Sequence, residues 1–208
     1  MAKVLLINGS PHVHGCTATA LDEMIKTFEE EGIETQLVQL GNSEIHGCIA
    51  CGSCMKTGKC VFDDIVNKIA PLFEEADGLV AGSPVYYGSP NGALLACLDR
   101  LFYSTPFSKH MKVGAAVTSC RRGGNTASFD VLNKYFTISG MPLASSTYWN
   151  QVHGFKAEDV KKDLEGLQTM RNLARNMAFM IRAIADAKDK YGLPQVEQDA
   201  FTSFPDGK

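Results

Sequence analysis

The chain has 208 residues, a net charge of −3 at pH 7, 45% apolar and 21% charged side chains, a balance ordinary for a soluble globular domain. That charge gives no electrostatic case for nucleic acid or an anionic membrane surface, and the longest apolar runs are strand-sized, too short to span a bilayer. Met1–Asn8 lacks the apolar stretch and cleavage site of a signal peptide, so the expectation is a cytoplasmic protein whose seven cysteines stay reduced.

Val4–Ile7 is a short, wholly apolar run that ends in Asn8-Gly9-Ser10-Pro11, a buried strand entering a turn. From Thr17 to Glu31, Ala20, Leu21, Met24, Ile25 and Phe28 recur at helical spacing, with Gly32 at the C-cap. Thr35–Leu40 is a second strand. A long loop follows, and Asp63 or Asp64 would cap a helix carrying Ile65, Ile69, Leu72 and Phe73. Leu79–Gly82 is a third strand and Asn91–Tyr103 a helix. Val113–Thr118 is a fourth strand, and Ser128–Phe136 lies in another helix. Leu143–Trp149 is predicted as a fifth strand, with Trp149 in the core or at an interface. Glu158–Lys188 reads as one long helix with an apolar stripe from Leu164 through Met170, Leu173, Met177, Ile181 and Ile184.

Strand and helix alternate five times, which argues for a parallel sheet with helices on both faces. The expected fold class is α/β, a doubly wound sheet of five parallel strands. It would occupy residues 1–190, leaving 191–208 as a C-terminal extension. Right-handed crossovers place every strand-to-helix loop at the carboxyl edge, where ligands of such sheets bind.

The loop of residues 46–62 holds Cys48, Cys51, Cys54 and Cys60, four cysteines within thirteen residues. Thiolates at that density repel one another unless a soft metal centre neutralises them. Two successive two-residue gaps resemble the compact runs that wrap a [4Fe-4S] cubane. A structural zinc and free thiols are the alternatives. His46 flanks the run without a second histidine at ligand spacing, and Cys97 reads as a small core residue.

Three other loops carry candidate chemistry. Gly9–Thr17 follows a strand and opens a helix, so its N–H groups and the hydroxyls of Ser10 and Thr17 can cradle an anion. It lacks the glycine patterns of dinucleotide and triphosphate loops, which points to a monophosphate. Gly82-Ser83-Pro84-Val85-Tyr86-Tyr87-Gly88-Ser89-Pro90 is stiffened by prolines and offers two tyrosine faces to a planar ring. Thr118–Asn125, with Ser119, Cys120, Arg121, Arg122, Gly123 and Gly124, can approach the same ring and reach a phosphate through arginine.

Together, Asn8-Gly9-Ser10-Pro11 with Thr17, Gly82–Gly88 and Asp99-Arg100 resemble the NAD(P)H-dependent FMN reductase branch of the flavodoxin-like superfamily, over about residues 3–150. With Cys48, Cys51, Cys54 and Cys60 added, the chain is similar to the iron–sulfur flavoprotein subgroup. The resemblance implies a flavodoxin-like sheet in the strand order 2-1-3-4-5, and FMN held noncovalently with its phosphate in the loop of Ser10, His12, Gly15, Cys16 and Thr17. It implies a ring lying against Pro84, Val85, Tyr86, Tyr87 and Gly88 on one side and Ser119, Cys120, Arg121, Gly123 and Gly124 on the other. It further implies a [4Fe-4S] cluster, NAD(P)H as co-substrate, a small-molecule or protein electron acceptor, and a homodimer or homotetramer. Many relatives carry Arg and Asn-Thr in the phosphate loop, where this chain has His12 and Cys16-Thr17. An FMN-dependent oxidoreductase is therefore expected, with no dedicated catalytic side chain. A flavodoxin-type carrier and a zinc-stabilised module are the competing classes.

Overall fold

The structure is a computed structural model that describes residues 1–197, Ala200 and Thr202. Its strands and helices run in the order β1 (Lys3–Asn8), α1 (Cys16–Glu30), β2 (Glu34–Gln39), α2 (Cys54–Thr57), α3 (Ile65–Glu75), β3 (Gly78–Tyr86), β4 (Ser89–Pro90), α4 (Gly92–Ser104), β5 (Val113–Cys120), α5 (Asn125–Ile138), β6 (Gln151–His153), α6 (Ala157–Val160) and α7 (Leu164–Tyr191). The sheet order is β2-β1-β3-β5-β6, all parallel, with the two-residue β4 folded back antiparallel on β3. Apart from β4, this is the expected doubly wound order. No helix among the described residues is long and apolar enough to cross a membrane.

The apolar strand runs divide by alternation. Val4, Leu6, Val80 and Val117 face α1 and α7, packing against Leu21, Met24, Phe28, Met170, Leu173 and Met177. Leu5, Ile7, Leu79 and Ala81 face α3, α4 and α5, against Phe73, Leu98, Leu101 and Phe136. A strand covered on both faces has no use for polar residues on either, which is why β1 and β5 read as continuous apolar stretches. Cys97 belongs to the second layer, and burial pushes its thiol up to about 12. It is an inert core residue, as expected.

Two expectations need correction. Leu143–Trp149 does not form the fifth strand: Leu143 makes one isolated parallel bridge to Gly114, and the ladder resumes at Gln151–His153 beside Thr118–Cys120. Between them the chain turns its polar groups to α7. Asn176 donates to the Ser145 carbonyl at 2.7 Å and the Ser146 hydroxyl to the Thr169 carbonyl at 2.7 Å. Trp149 is half exposed, edge-on to Tyr148, and not a core residue.

The long helix is likewise two helices. The Asp163 carboxylate accepts the Gly166 N–H at 2.9 Å and the His153 N–H at 2.7 Å, starting α7 as an N-cap and separating it from α6. Leu164 consequently projects outward, 74% exposed, while Met170, Leu173, Met177 and Ile181 are buried. Residues 192–197 follow α7 without regular structure, and most of the expected extension lies outside the described residues.

Candidate functional site

Register aligns the carboxyl ends of the central strands: Asn8 stands opposite Gly82, Pro84 opposite Ser119, and Cys120 opposite His153. The strand order reverses between β1 and β3, so the loops after β1, β3 and β5 surround the switch point. They enclose a cavity of about 830 Å³, within the usual range for small-molecule sites.

The first loop is held from both ends. The Ser10 N–H donates to Asn8 Oδ1 at 3.0 Å, and its buried hydroxyl accepts the His12 N–H at 3.1 Å. Gln39, at the end of β2, donates to the Ser10 carbonyl at 2.5 Å and accepts from Asn8 Nδ2 at 2.6 Å. Thr17, in the first turn of α1, shares a 2.8 Å hydrogen bond with Ser119 of β5. The phosphate-type loop and the third loop are thus tied by their own side chains.

The second loop is a hairpin. Val85 pairs with Pro90 and Tyr86 with Ser89, leaving Tyr87 and Gly88 at the tip with φ of 51° and 73°. Two successive positive φ values define a turn whose twist matches the strands. Gly124 adopts φ of 93°, and a Cβ there would lie 2.8 Å from Val85 Cγ1 and 2.9 Å from Gly88 Cα. Only glycine permits the second and third loops to touch at that point.

Of the sequence-predicted residues, Ser10, His12, Gly15, Cys16 and Thr17 line the cavity, as do Pro84, Val85, Tyr86, Ser119, Cys120 and Arg121. Tyr87, Gly88, Gly123 and Gly124 are not in its wall, and Tyr87 stands fully in solvent at the hairpin tip. Sequence reading missed a fourth wall, the segment Gly154–Glu158 after β6. The Cys16 thiol donates to the Gly154 carbonyl at 3.4 Å and the Cys120 thiol to Asn125 Oδ1. Burial, and then the Asp159 charge, push the Cys16 thiol up; burial does the same to Cys120 despite its bond to Asn125. Both are held as neutral thiols, so neither offers a nucleophile to the cavity.

Helix starts differ along this edge. Among the described residues five helices exceed ten residues, and three are capped by side chains: Asp64 on α3, Asn91 on α4 and Asp163 on α7. The exceptions are α1 and α5, which begin at Gly15 and Gly124 without a side-chain cap. Both start in the loops that form the cavity. Asn125 Nδ2 and Ser128 Oγ, in the first turns of α5, are buried without a hydrogen-bond partner. The uncapped start of α1 presents unspent N–H donors to the cavity, which suits an anionic ligand rich in acceptors.

The cysteine loop forms a second cavity, of about 380 Å³, lined by Cys48, Cys51, Cys54 and Cys60 together with Phe62, Arg100 and Ser104. Ala50, Gly52 and Gly58 all have positive φ, so the backbone coils tightly around it. Among the described residues no three His, Cys, Asp or Glu side chains converge on a single-ion geometry. His46 does not line this cavity; its ring stacks on Phe62 at 4.8 Å. Cys60 is the best anchored of the four. Its N–H donates to Asn67 Oδ1 and its carbonyl accepts from Asn67 Nδ2, each at 3.0 Å. Arg100 pairs with Asp64 through both oxygens, at 2.6 and 2.9 Å. Burial opposes the Asp64 charge, but the Arg100 hydrogen bonds and the Val66 N–H outweigh it and hold the carboxyl below its usual range.

Residues 2–155 match the sequence profile described as NADPH-dependent FMN reductase. An iron–sulfur flavoprotein of Methanocaldococcus jannaschii is 35% identical over 193 residues, covering 88% of this chain and 98% of that protein. In three dimensions the chain is similar to RosB with bound 8-demethyl-8-formylriboflavin-5′-phosphate, with a TM-score of 0.70 at 16% identity, covering 99% and 93% of the two chains. It is also similar to an archaeal flavodoxin, with a TM-score of 0.60 at 14% identity over 86% of this chain and 99% of the other. The two structural likenesses establish the flavodoxin-like fold, and the profile, which spans most of the chain, establishes the descent: this protein belongs to the NADPH-dependent FMN reductase family.

Proposed function

We propose that the chain is an FMN-dependent oxidoreductase that takes electrons from NADH or NADPH and delivers them to a small-molecule or protein acceptor. The observation that carries this reading is the uncapped start of α1, from Gly15 to Thr17, opening on the cavity of about 830 Å³ that the loops after β1, β3 and β5 form at the switch point. Backbone N–H groups at the start of α1, with Gly15 beside them, suit a phosphate. Arg121 and Lys156 both line the cavity and are exposed at its rim, and they are the cationic partners assigned to it in place of an arginine in the first loop. Ser119, Cys120 and Arg121 of the third loop, which line the cavity, suit the carbonyl and nitrogen acceptors of a flavin ring. FMN, when bound, supplies hydride acceptance and onward electron transfer, so no acid–base side chain of the chain is assigned. Exposed Tyr87 and Phe155 beside the cavity support its closure by a second copy of the chain.

The same proposal places a [4Fe-4S] cluster in the cysteine loop. Four thiols around one cavity could offer one sulfur to each corner iron of such a cluster. Such a cluster would supply one-electron transfer, and its loop leaves β2 at the carboxyl edge shared with the flavin loops.

Two experiments test the proposal. Protein purified anaerobically and loaded with FMN should lose its visible flavin band rapidly on mixing with NADH or NADPH. A band that persists with both nucleotides, yet bleaches with dithionite, would identify an electron carrier instead. Gly124→Ala should weaken FMN binding about 10- to 100-fold, because strain of roughly 1–3 kcal/mol is relieved only by moving the second and third loops apart. Fluorescence titration with FMN reads the change, and wild-type affinity would separate that contact from the binding site.

A further inference from the structure

Among the described residues Arg100 is the most voluminous fully buried side chain, 1% exposed, on the α4 face that also carries Cys97 and Ser104. A guanidinium has five N–H donors, and here every one is used. Nη1 donates to Asp64 Oδ2 and to the His46 carbonyl at 3.3 Å. Nη2 donates to Asp64 Oδ1 and to the Phe62 carbonyl at 3.3 Å. Those four bonds, with the guanidinium lying 5.0 Å from the Phe62 ring centroid, lock the fork in place. The fifth donor, Nε–H, points at Cys60 Sγ, 3.1 Å away. One helical turn further on, Ser104 Oγ is buried in the same cavity without a partner.

An ordinary structural ion pair would be complete with Asp64 and the two carbonyls. The bond to sulfur is additional, and it falls on the cysteine whose backbone Asn67 already clamps on both sides. Hydrogen bonds to the sulfurs are a main determinant of an iron–sulfur potential, because they stabilise the more negative, reduced state.

We propose that Arg100 is a positioning residue for the sulfur centre: through its Nε–H it fixes Cys60 as the fourth ligand and raises the reduction potential of the cluster bound there. Asp64, itself fixed as the α3 N-cap by the Val66 N–H at 3.0 Å, sets the angle of the fork. Ser104 supplies a second donor, its hydroxyl, from the same helix face. This inference rests on the reading that the four cysteines hold a cluster.

The test compares anaerobically purified wild type with Arg100→Lys, which keeps the charge and loses the fork, and with the double variant Arg100→Gln/Asp64→Asn. The double variant removes both charges together, so no unpaired ion is left buried if the single change hinders folding. Iron, sulfide and FMN are assayed, and the cluster potential is followed by electron paramagnetic resonance during a redox titration. Both variants should retain FMN and show a more negative cluster potential, about tenfold in the reduction equilibrium, or about 59 mV for a one-electron couple. A three-iron signal in a variant, meaning loss of the corner held by Cys60, would be the same result in stronger form. Full cluster content with an unchanged potential in both variants would overturn the role of Arg100 while leaving the cluster reading intact. Wild-type protein without iron and sulfide would overturn both.

Discussion

Ser10→Glu should lower FMN affinity by about a thousandfold. Ser10 is buried at the floor of the first loop, its hydroxyl already engaged by the His12 N–H and its own N–H by Asn8. A carboxylate in that position stands in the cavity wall against the proposed phosphate. Two like charges about 4 Å apart repel by about 4 kcal/mol at the effective dielectric of a protein surface, and 1.4 kcal/mol is a factor of ten. Ser10→Ala, which removes one hydrogen bond worth about 1 kcal/mol, should cost less than tenfold. The measurement is quenching of FMN fluorescence on titration with each variant, with circular dichroism to check the fold. Ser10→Glu protein that is folded and binds FMN within tenfold of wild type would place the phosphate elsewhere.

Cys51→Ala should eliminate bound iron and sulfide while leaving flavin content unchanged. Cys51 is exposed at the cavity mouth, and no hydrogen bond ties its thiol into the fold. Its removal is therefore expected to shift apo stability by no more than about 0.5 kcal/mol. Cys60 would be a poorer choice, since truncating it also strips a partner from the buried Arg100 guanidinium. Iron, sulfide and flavin assays on anaerobic material decide the outcome. Full iron in Cys51→Ala would exclude it from the ligand set, and zinc in wild type at one per chain would replace the cluster altogether.

Much of this was legible because it is written at short range. The continuous apolar run of Val4–Ile7 and the Gly-Ser-Pro turns marked both strands and the loops that end them, and strand–helix alternation specified the layer order. The first loop and parts of the second and third do meet at one cavity. Leu143–Trp149 misled because a run of mixed apolar and polar residues has no local feature that tells a strand from a segment bonded to a helix. The deciding partners, Asn176 and Thr169, lie more than twenty residues away. The break before α7 was more accessible, since Asp163 followed by Gly166 carries a capping signal inside the supposed helix.

Arg100 had a signal of its own. An arginine spaced three residues from Cys97 and four from Ser104 on an apolar helix face must find a buried partner. Nothing local could name that partner. Asp64, Cys60, His46 and Phe62 come from the stretch between β2 and α3, and Gly154–Glu158 reaches the cavity only because β6 pairs with β5.

By itself the amino-acid order determined the periodicities, the turn chemistry and the crowding of four thiols, since each is a matter of neighbours within a few bonds. Tertiary structure alone decided which loops share a wall, which helix ends stay uncapped and which sulfur receives a buried guanidinium. Those outcomes depend on distances between residues far apart along the chain, and they exist only once the sheet has brought its strand ends into register.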